Sequence, residues 1–212
     1  MYELVQWPEI STKVNIKRDF EAFTGFQNII GAVDGTHVVI EGIGKFRNGY
    51  KTRKCTYAIN VTVVCDFNQK ILFAAVGAPG SYHDNRVFEY TTLNNNTERH
   101  FEGEDVILGD SAYIESCTMA VPYINPSLPA NVSFNYLHAR GRVKVENTVG
   151  LLKCKYKIKG TTMRQKRLFT IVELVKSIIC VHNFIVNYNQ DNNIDDSQED
   201  EGDMSSTNNE IV

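Results

Sequence analysis

The run Tyr57–Val76, YAINVTVVCDFNQKILFAAV, decides the fold. Residues 57–65 are rich in β-branched side chains and residues 71–76 (ILFAAV) are apolar, the composition of two strands. Between them Phe67-Asn68-Gln69-Lys70 makes a turn, and strands joined by so short a connection are antiparallel neighbours. Upstream, Ile29-Ile30-Gly31-Ala32-Val33 runs through Asp34-Gly35-Thr36-His37 into Val38-Val39-Ile40, a further strand with an acid and a turn-forming glycine in mid-course. Ahead of Gly25 the helical pattern is weak, and Trp7-Pro8 reads as an ordered turn.

Downstream, Gly77-Ala78-Pro79-Gly80 is expected to end the sheet pattern. Arg86, Val87, Phe88 and Tyr90 suggest a short helix with Ser81 or Asp84 near its N-cap. Residues 92–103 read as a polar loop. Val106-Ile107-Leu108-Gly109 is a short buried strand with Asp110 at its carboxyl end. Pro122, Pro126 and Pro129 predict an irregular surface excursion over 121–134, followed by helices near 138–154 and 166–188. In the second, Ile171, Leu174, Val175, Ile178, Ile179 and Phe184 form a wide apolar stripe. An antiparallel start continued through a helical crossover describes a mixed α/β fold, a central mixed sheet flanked by helices.

Charge is divided unevenly. From Asp191 onward there are eight acids and no Lys or Arg; removing them from the 25 acids leaves 17 against 22 basic residues, about +5 over residues 1–190. The basic body and acidic tail predict three parts: a linker or helical lead-in at 1–27, one domain at 28–188, and a disordered acidic tail at 189–212. Five scattered cysteines without a C-x-x-C pair argue against a disulfide framework and a zinc knuckle, and suit a reducing compartment. No basic segment followed by an apolar run opens the chain, so a signal peptide is not expected. The apolar stretch 168–186 is interrupted by Glu173, Lys176, His182 and Asn183, which predicts a core helix and no membrane partner. The nucleus or cytoplasm is the expected location.

Three acids stand at informative places: Asp34 in the first strand, Asp110 at the end of the later strand, and Glu146 on the following helix. Val145, Val149 and Leu152 recur at helical spacing, so Glu146 lies at the edge of a buried face with Arg142 one turn before it. An Arg–Glu pair at that spacing is ordinary and contributes a few tenths of a kcal/mol, about 0.2–0.5. Convergence with two strand-borne acids is the sharper reading, because hard cations take oxygen ligands and two metals about 3.5–4 Å apart can assist phosphoryl displacement.

Several segments carry a resemblance. GAVDGTH (31–37), PGSYHDNRVF (79–88), GDSAY (109–113) and RVKVENTVG (142–150), with YAINVTVVCD (57–66), Trp7-Pro8 and VHNF (181–184), resemble PIF/Harbinger-type DDE transposases and the Harbinger transposase-derived nucleases. The likeness covers roughly residues 5–188. It implies a ribonuclease H-like fold in which the first and the later acid-bearing strands are adjacent, with Asp34, Asp110 and Glu146 as the catalytic metal-binding triad for Mg²⁺ or Mn²⁺, two ions in all. Asp84 would be an auxiliary ligand or a helix cap, and His37 and His83 would orient the neighbouring carboxylates by hydrogen bonds. Family members carry a helical, helix-turn-helix-like DNA-binding region ahead of this segment, which is expected to be absent here. A Myb-like DNA-binding protein is the implied partner, and homo-oligomer formation stays open.

The cations fit the same picture. Lys51, Arg53 and Lys54 lie in one basic loop, and between 140 and 167 ten cations, among them Arg140, Arg142, Lys144, Lys153, Lys155 and Lys157, face one acid. A phosphate backbone is their natural counterpart, positioned rather than read. The expected function is a metal-dependent DNA endonuclease; the alternatives are a catalytically silent DNA- or protein-binding module on the same fold, and a ribonuclease or other phosphoesterase.

Overall fold

Strands β1 (Ile29–Val39), β2 (Ala58–Cys65), β3 (Ile71–Pro79), β4 (Val106–Leu108) and β5 (Met119–Ala120) form one sheet in the order β3-β2-β1-β4-β5. These come from a computed structural model that describes residues 4–41, 48–156 and 167–192. β1–β2 and β2–β3 are antiparallel, whereas β1–β4 and β4–β5 are parallel, so the sheet is mixed as the sequence predicts. Every residue of β2 is buried, which is why that strand reads as an apolar and β-branched run interrupted only by Asn60. The hairpin closes through Gln69, whose amide donates to the Asp66 carbonyl and whose φ is +66°.

Gly77 does not end the sheet. β3 continues to Pro79 by a bulge, with Val61 opposite Val76, Asn60 opposite Ala78, and Gly77 left over at φ +108°. A side chain there would also press on Val172 Cγ2 of the helix packed behind it, at 2.9 Å. Two stretches read as irregular are helical in part: 92–103 holds two single-turn helices, α3 (Thr92–Asn95) and α4 (Thr97–His100), the first capped by the Thr91 hydroxyl. Pro129 does not lie in a loop but opens a 27-residue helix, α5 (Pro129–Lys155), where its missing N–H costs nothing.

Helices cover both faces. On one side α1 (Ile10–Thr24), α5 and α6 (Leu168–Asn192) bury Ile16, Phe20, Val145, Val149, Leu152, Ile171, Val175 and Ile179 against the sheet. On the other, α2 (Asp84–Glu89), α3 and the β4–β5 region enclose Phe88, Leu93, Ile107, Tyr113 and Met119. The N-terminal lead-in is thus part of the core. Its weak pattern comes from Lys13, a cation on the buried face, which is 3% exposed and paired with Asp105 and Glu102 while Lys17 also meets Asp105.

α6 is long and apolar enough to cross a membrane by length and composition. Here it packs on β3, and its polar interruptions are the fastening: the Asn183 amide accepts from Ile71 N (2.8 Å) and donates to Ile71 O and Leu4 O (both 2.7 Å). His182 Nε2 donates to Gln69 O at 2.8 Å. The predicted stripe divides, since Leu174 and Phe184 face outward. The helix runs to Asn192, past the expected end at 188, and the remainder of the acidic tail lies outside the described residues.

Candidate active site

Ala32 on β1 is in parallel register with Leu108 on β4. Asp34 stands two residues further along β1, and Asp110 two residues past the end of β4, close enough that its charge acts on the Asp34 carboxyl. β4 stops at Leu108, and the chain turns at once: Asp110 Oδ1 accepts from Ala112 N at 2.9 Å and its carbonyl accepts from Tyr113 N. β1 instead continues beside β2, which keeps Asp34 embedded. The Asp34 carboxyl is raised from 3.8 to about 6 by burial, with Arg142 pulling it down and the neighbouring Asp110 pushing it up.

The third acid arrives from α5. Arg142 Nη1 lies 3.0 Å from Glu146 Oε1 and its Nη2 lies 3.7 Å from Asp34 Oδ1. One guanidinium thus spans the helix acid and the strand acid. Glu146 is half exposed at its side chain, whereas Arg142 is mostly buried. Lys153, further along α5, also draws on Asp34 electrostatically. The i,i+4 pair was readable in the sequence; that the same arginine reaches across to β1 was not.

Asp84 opens α2, with His83 rather than Ser81 or Asp84 as the N-cap residue. Asp84 Oδ1 accepts from the Asn60 amide at 2.7 Å, and the Thr62 hydroxyl donates to Asn60 Oδ1 at 3.0 Å, so two buried side chains of β2 fix its orientation. The carboxylate rests against Gly35, the residue after Asp34, where a Cβ would overlap its Oδ1 and Cγ. Gly35 is therefore a packing glycine, not a turn. Asn85 Oδ1 accepts from Ile114 N at 3.0 Å and ties α2 to the turn that follows Asp110. Asn60, Thr62 and Gly35 are site residues that the sequence alone did not single out.

Tyr113 completes the cluster. Its ring meets Phe88 edge-on (5.8 Å between centroids) and packs on Gly109, while its hydroxyl is buried without a hydrogen-bond partner among the described residues. Burial pushes the phenol far up, and Asp84, Asp34 and Asp110 all push the same way.

The expectation that His83 orients a carboxylate is not met. Its ring instead accepts from Arg53 Nη2, 2.7 Å from Nε2. His37 is exposed on the wall of a neighbouring cleft. Of the expected phosphate-contacting cations, Arg53, Lys54 and Lys153 line that cleft beside Gly35 and Asp84. Lys51 is exposed on an isolated bridge to Tyr57. Arg140 and Lys144 go elsewhere, over Phe23 (4.3 Å) and Phe67 (3.9 Å) respectively, where α1 meets the hairpin turn. Lys155 is exposed at the end of α5, and Lys157 lies outside the described residues.

The donor chemistry suits a hard divalent cation: carboxylate oxygens from Asp34, Asp110 and Glu146, with Asp34 raised by burial and further by the like charge of Asp110. Among the described residues no three His, Cys, Asp or Glu side chains are gathered closely enough to hold a metal ion. The Arg142 guanidinium is the positive charge between Asp34 and Glu146 in this arrangement.

Residues 33–183 match the profile of a family described as DDE superfamily endonuclease. A rat (Rattus norvegicus) protein named "Putative nuclease HARBI1" is 28% identical over 143 residues, covering 68% of this chain and 41% of that protein. An Arabidopsis thaliana protein named "Protein ALP1-like" is 23% identical over 208 residues, covering 91% of this chain and 50% of that protein. The chain thus spans half or less of the length of these curated relatives. No solved structure matches it.

Proposed function

The chain belongs to the DDE superfamily endonuclease family, and from that premise we propose that it is a metal-dependent DNA endonuclease domain hydrolysing phosphodiester bonds with Asp34, Asp110 and Glu146. The observation that carries the proposal is the nearness of Asp34 on β1 to Asp110, just past the end of the neighbouring parallel strand β4, with Glu146 joined to Asp34 through Arg142. The rat relative named "Putative nuclease HARBI1" supports it.

Asp34, Asp110 and Glu146 would hold Mg²⁺ or Mn²⁺, two ions in the full arrangement, with Asp84 as an auxiliary ligand. A divalent cation bound there supplies positive charge to the phosphoryl oxygens during displacement. The chain's own part is positional. The partial burial of Asp34 in β1 reduces screening of its charge, and the Thr62–Asn60–Asp84 relay fixes the neighbouring carboxylate. Arg53, Lys54 and Lys153 offer cations for the flanking phosphates.

A second reading rests on Arg142. A guanidinium seated between two of the three acids suits a domesticated DNA- or protein-binding module that no longer cuts. Plasmid nicking with Mg²⁺ or Mn²⁺ separates the two, comparing the wild type with Asp34→Ala, Asp110→Ala and Glu146→Ala. Nicking abolished in all three variants supports the nuclease. Binding without nicking in the wild type supports the silent module, and nicking that survives the triple substitution discards the triad.

A further inference from the structure

A cleft of about 550 Å³ adjoins the acidic centre, entered between the turn at 52–54 and the turn at 80–84. It shares two walls with that centre. Gly35 follows Asp34 directly, and Asp84 lies against Gly35. Whatever occupies the cleft is therefore next to the reacting group and not remote from it.

Its charge is one-sided. Arg53, Lys54 and Lys153 line it against a single carboxylate, Asp84, whose Oδ1 already accepts from Asn60. Such an excess of cations suits one or two phosphate oxygens. The Arg53 guanidinium is also positioned, held by the His83 ring at 2.7 Å.

Three rings stand among the threonines, serine and small residues that make up the rest of its lining. Tyr82, His37 and His83 contribute rings, and Tyr82 is stiffened by the Arg86 guanidinium 4.3 Å from its centroid. Aromatic faces accept any base, and stacking contributes roughly 1–3 kcal/mol per base in single-strand binders. The volume falls within the roughly 300–1,000 Å³ typical of sites for one small organic ligand. A base-paired duplex does not enter a cleft of that size, but one nucleotide does.

We propose that this cleft holds a single unpaired nucleotide of the substrate strand, its phosphate on Arg53, Lys54 and Lys153 and its base against Tyr82. The inference deepens the nuclease reading and rests on it for the identity of the strand. It follows that the scissile position must be unstacked before it is cut, so that frayed ends, flaps or bubbles are preferred to continuous duplex.

The test uses the full chain and deoxyadenosine 5′-monophosphate in EDTA, with binding followed by calorimetry or NMR, so that no cleavage enters the readout. The expected result is saturable binding that weakens at least about fivefold in both Arg53→Gln and Tyr82→Ala, with circular dichroism unchanged. Deoxyadenosine and inorganic phosphate, each alone, should bind more weakly than the nucleotide. Binding unaffected by either substitution, or inorganic phosphate binding as well as the nucleotide, overturns the proposal. In a parallel cleavage assay a bubble substrate should be cut at least about tenfold faster than paired duplex; equal rates also overturn it. A chain that binds the nucleotide but never nicks DNA keeps the cleft and loses the nuclease. A chain that nicks but ignores the nucleotide does the reverse.

Discussion

Arg142 reaches from the middle of a helix to Asp34 on the central strand, Nη2 to Oδ1 at 3.7 Å, while its other terminal nitrogen holds Glu146. A guanidinium between two acids competes with any cation that the same acids could bind. Arg142→Gln is therefore expected to bind Mn²⁺ about three- to tenfold more tightly than the wild type, the scale of one partly screened charge at close range. Calorimetry at pH 8, well above the value near 6 at Asp34, keeps proton competition small. Weaker binding by the variant would mean that Arg142 organises the acids instead of occupying their centre.

Gly35 has no room for a methyl group because the Asp84 carboxylate fills the space. Gly35→Ala should displace Asp84 from Asn60, leave the buried Asn60 amide without that partner, and cost about 1–3 kcal/mol of stability. Nicking should fall at least about tenfold under conditions where the variant is still folded by circular dichroism. Full activity in a folded variant would show that the Asp84 position is immaterial.

Stability should also depend on pH through a residue far from the acids. Asp66 sits at the hairpin turn, 6% exposed, and burial raises its carboxyl from 3.8 to about 6 despite the amide of Lys70 donating to it. Between those two values the folded chain keeps a proton that the unfolded chain has released. The contribution is therefore fully present below about pH 4 and lost as pH rises to about 6, up to roughly 3 kcal/mol. Urea unfolding at pH 4, 5, 6 and 7 should show this fall, and Asp66→Asn, which keeps an acceptor for Lys70, should make it shallower, leaving the share of Asp34, which is raised over the same range. An identical slope in the variant would assign the dependence to other groups.

Tyr113 buries a hydroxyl that has no hydrogen-bond partner among the described residues. Tyr113→Phe keeps the edge-on contact with Phe88 and removes an unsatisfied polar group, so stability should rise by about 1 kcal/mol. Thermal unfolding gives the sign directly. A destabilised variant would mean that the hydroxyl has a partner in solution, such as an ordered water among the three carboxylates.

The strands were legible because β2 and β4 bury almost continuous runs and β3, buried only at Ile71 and Leu72, is still apolar in composition. What escaped was structure held by single polar or special residues. Lys13 breaks the apolar face of α1 yet is buried by ion pairing, Pro129 begins a helix where it reads as a loop residue, and Gly77 is a bulge where it reads as an end. The acids followed the same division. Asp34 and Asp110 could be located from the strands that carry them, and Glu146 from helical spacing. The cross-links among them, Arg142 to Asp34 and Asn60 to Asp84, join residues 108 and 24 positions apart in sequence and leave no local pattern.

The unequal strands on either side of the acid pair carry a dynamic consequence. Asp34 belongs to an eleven-residue strand bonded on both edges, whereas Asp110 follows a three-residue strand whose outer neighbour has only two residues. Amides around Asp34 should exchange with solvent only on global unfolding, while the β4–β5 margin opens in smaller excursions. Such an opening carries Asp110 away and leaves Asp34 in place. The chain can thus dismantle its paired acids transiently while its fold persists.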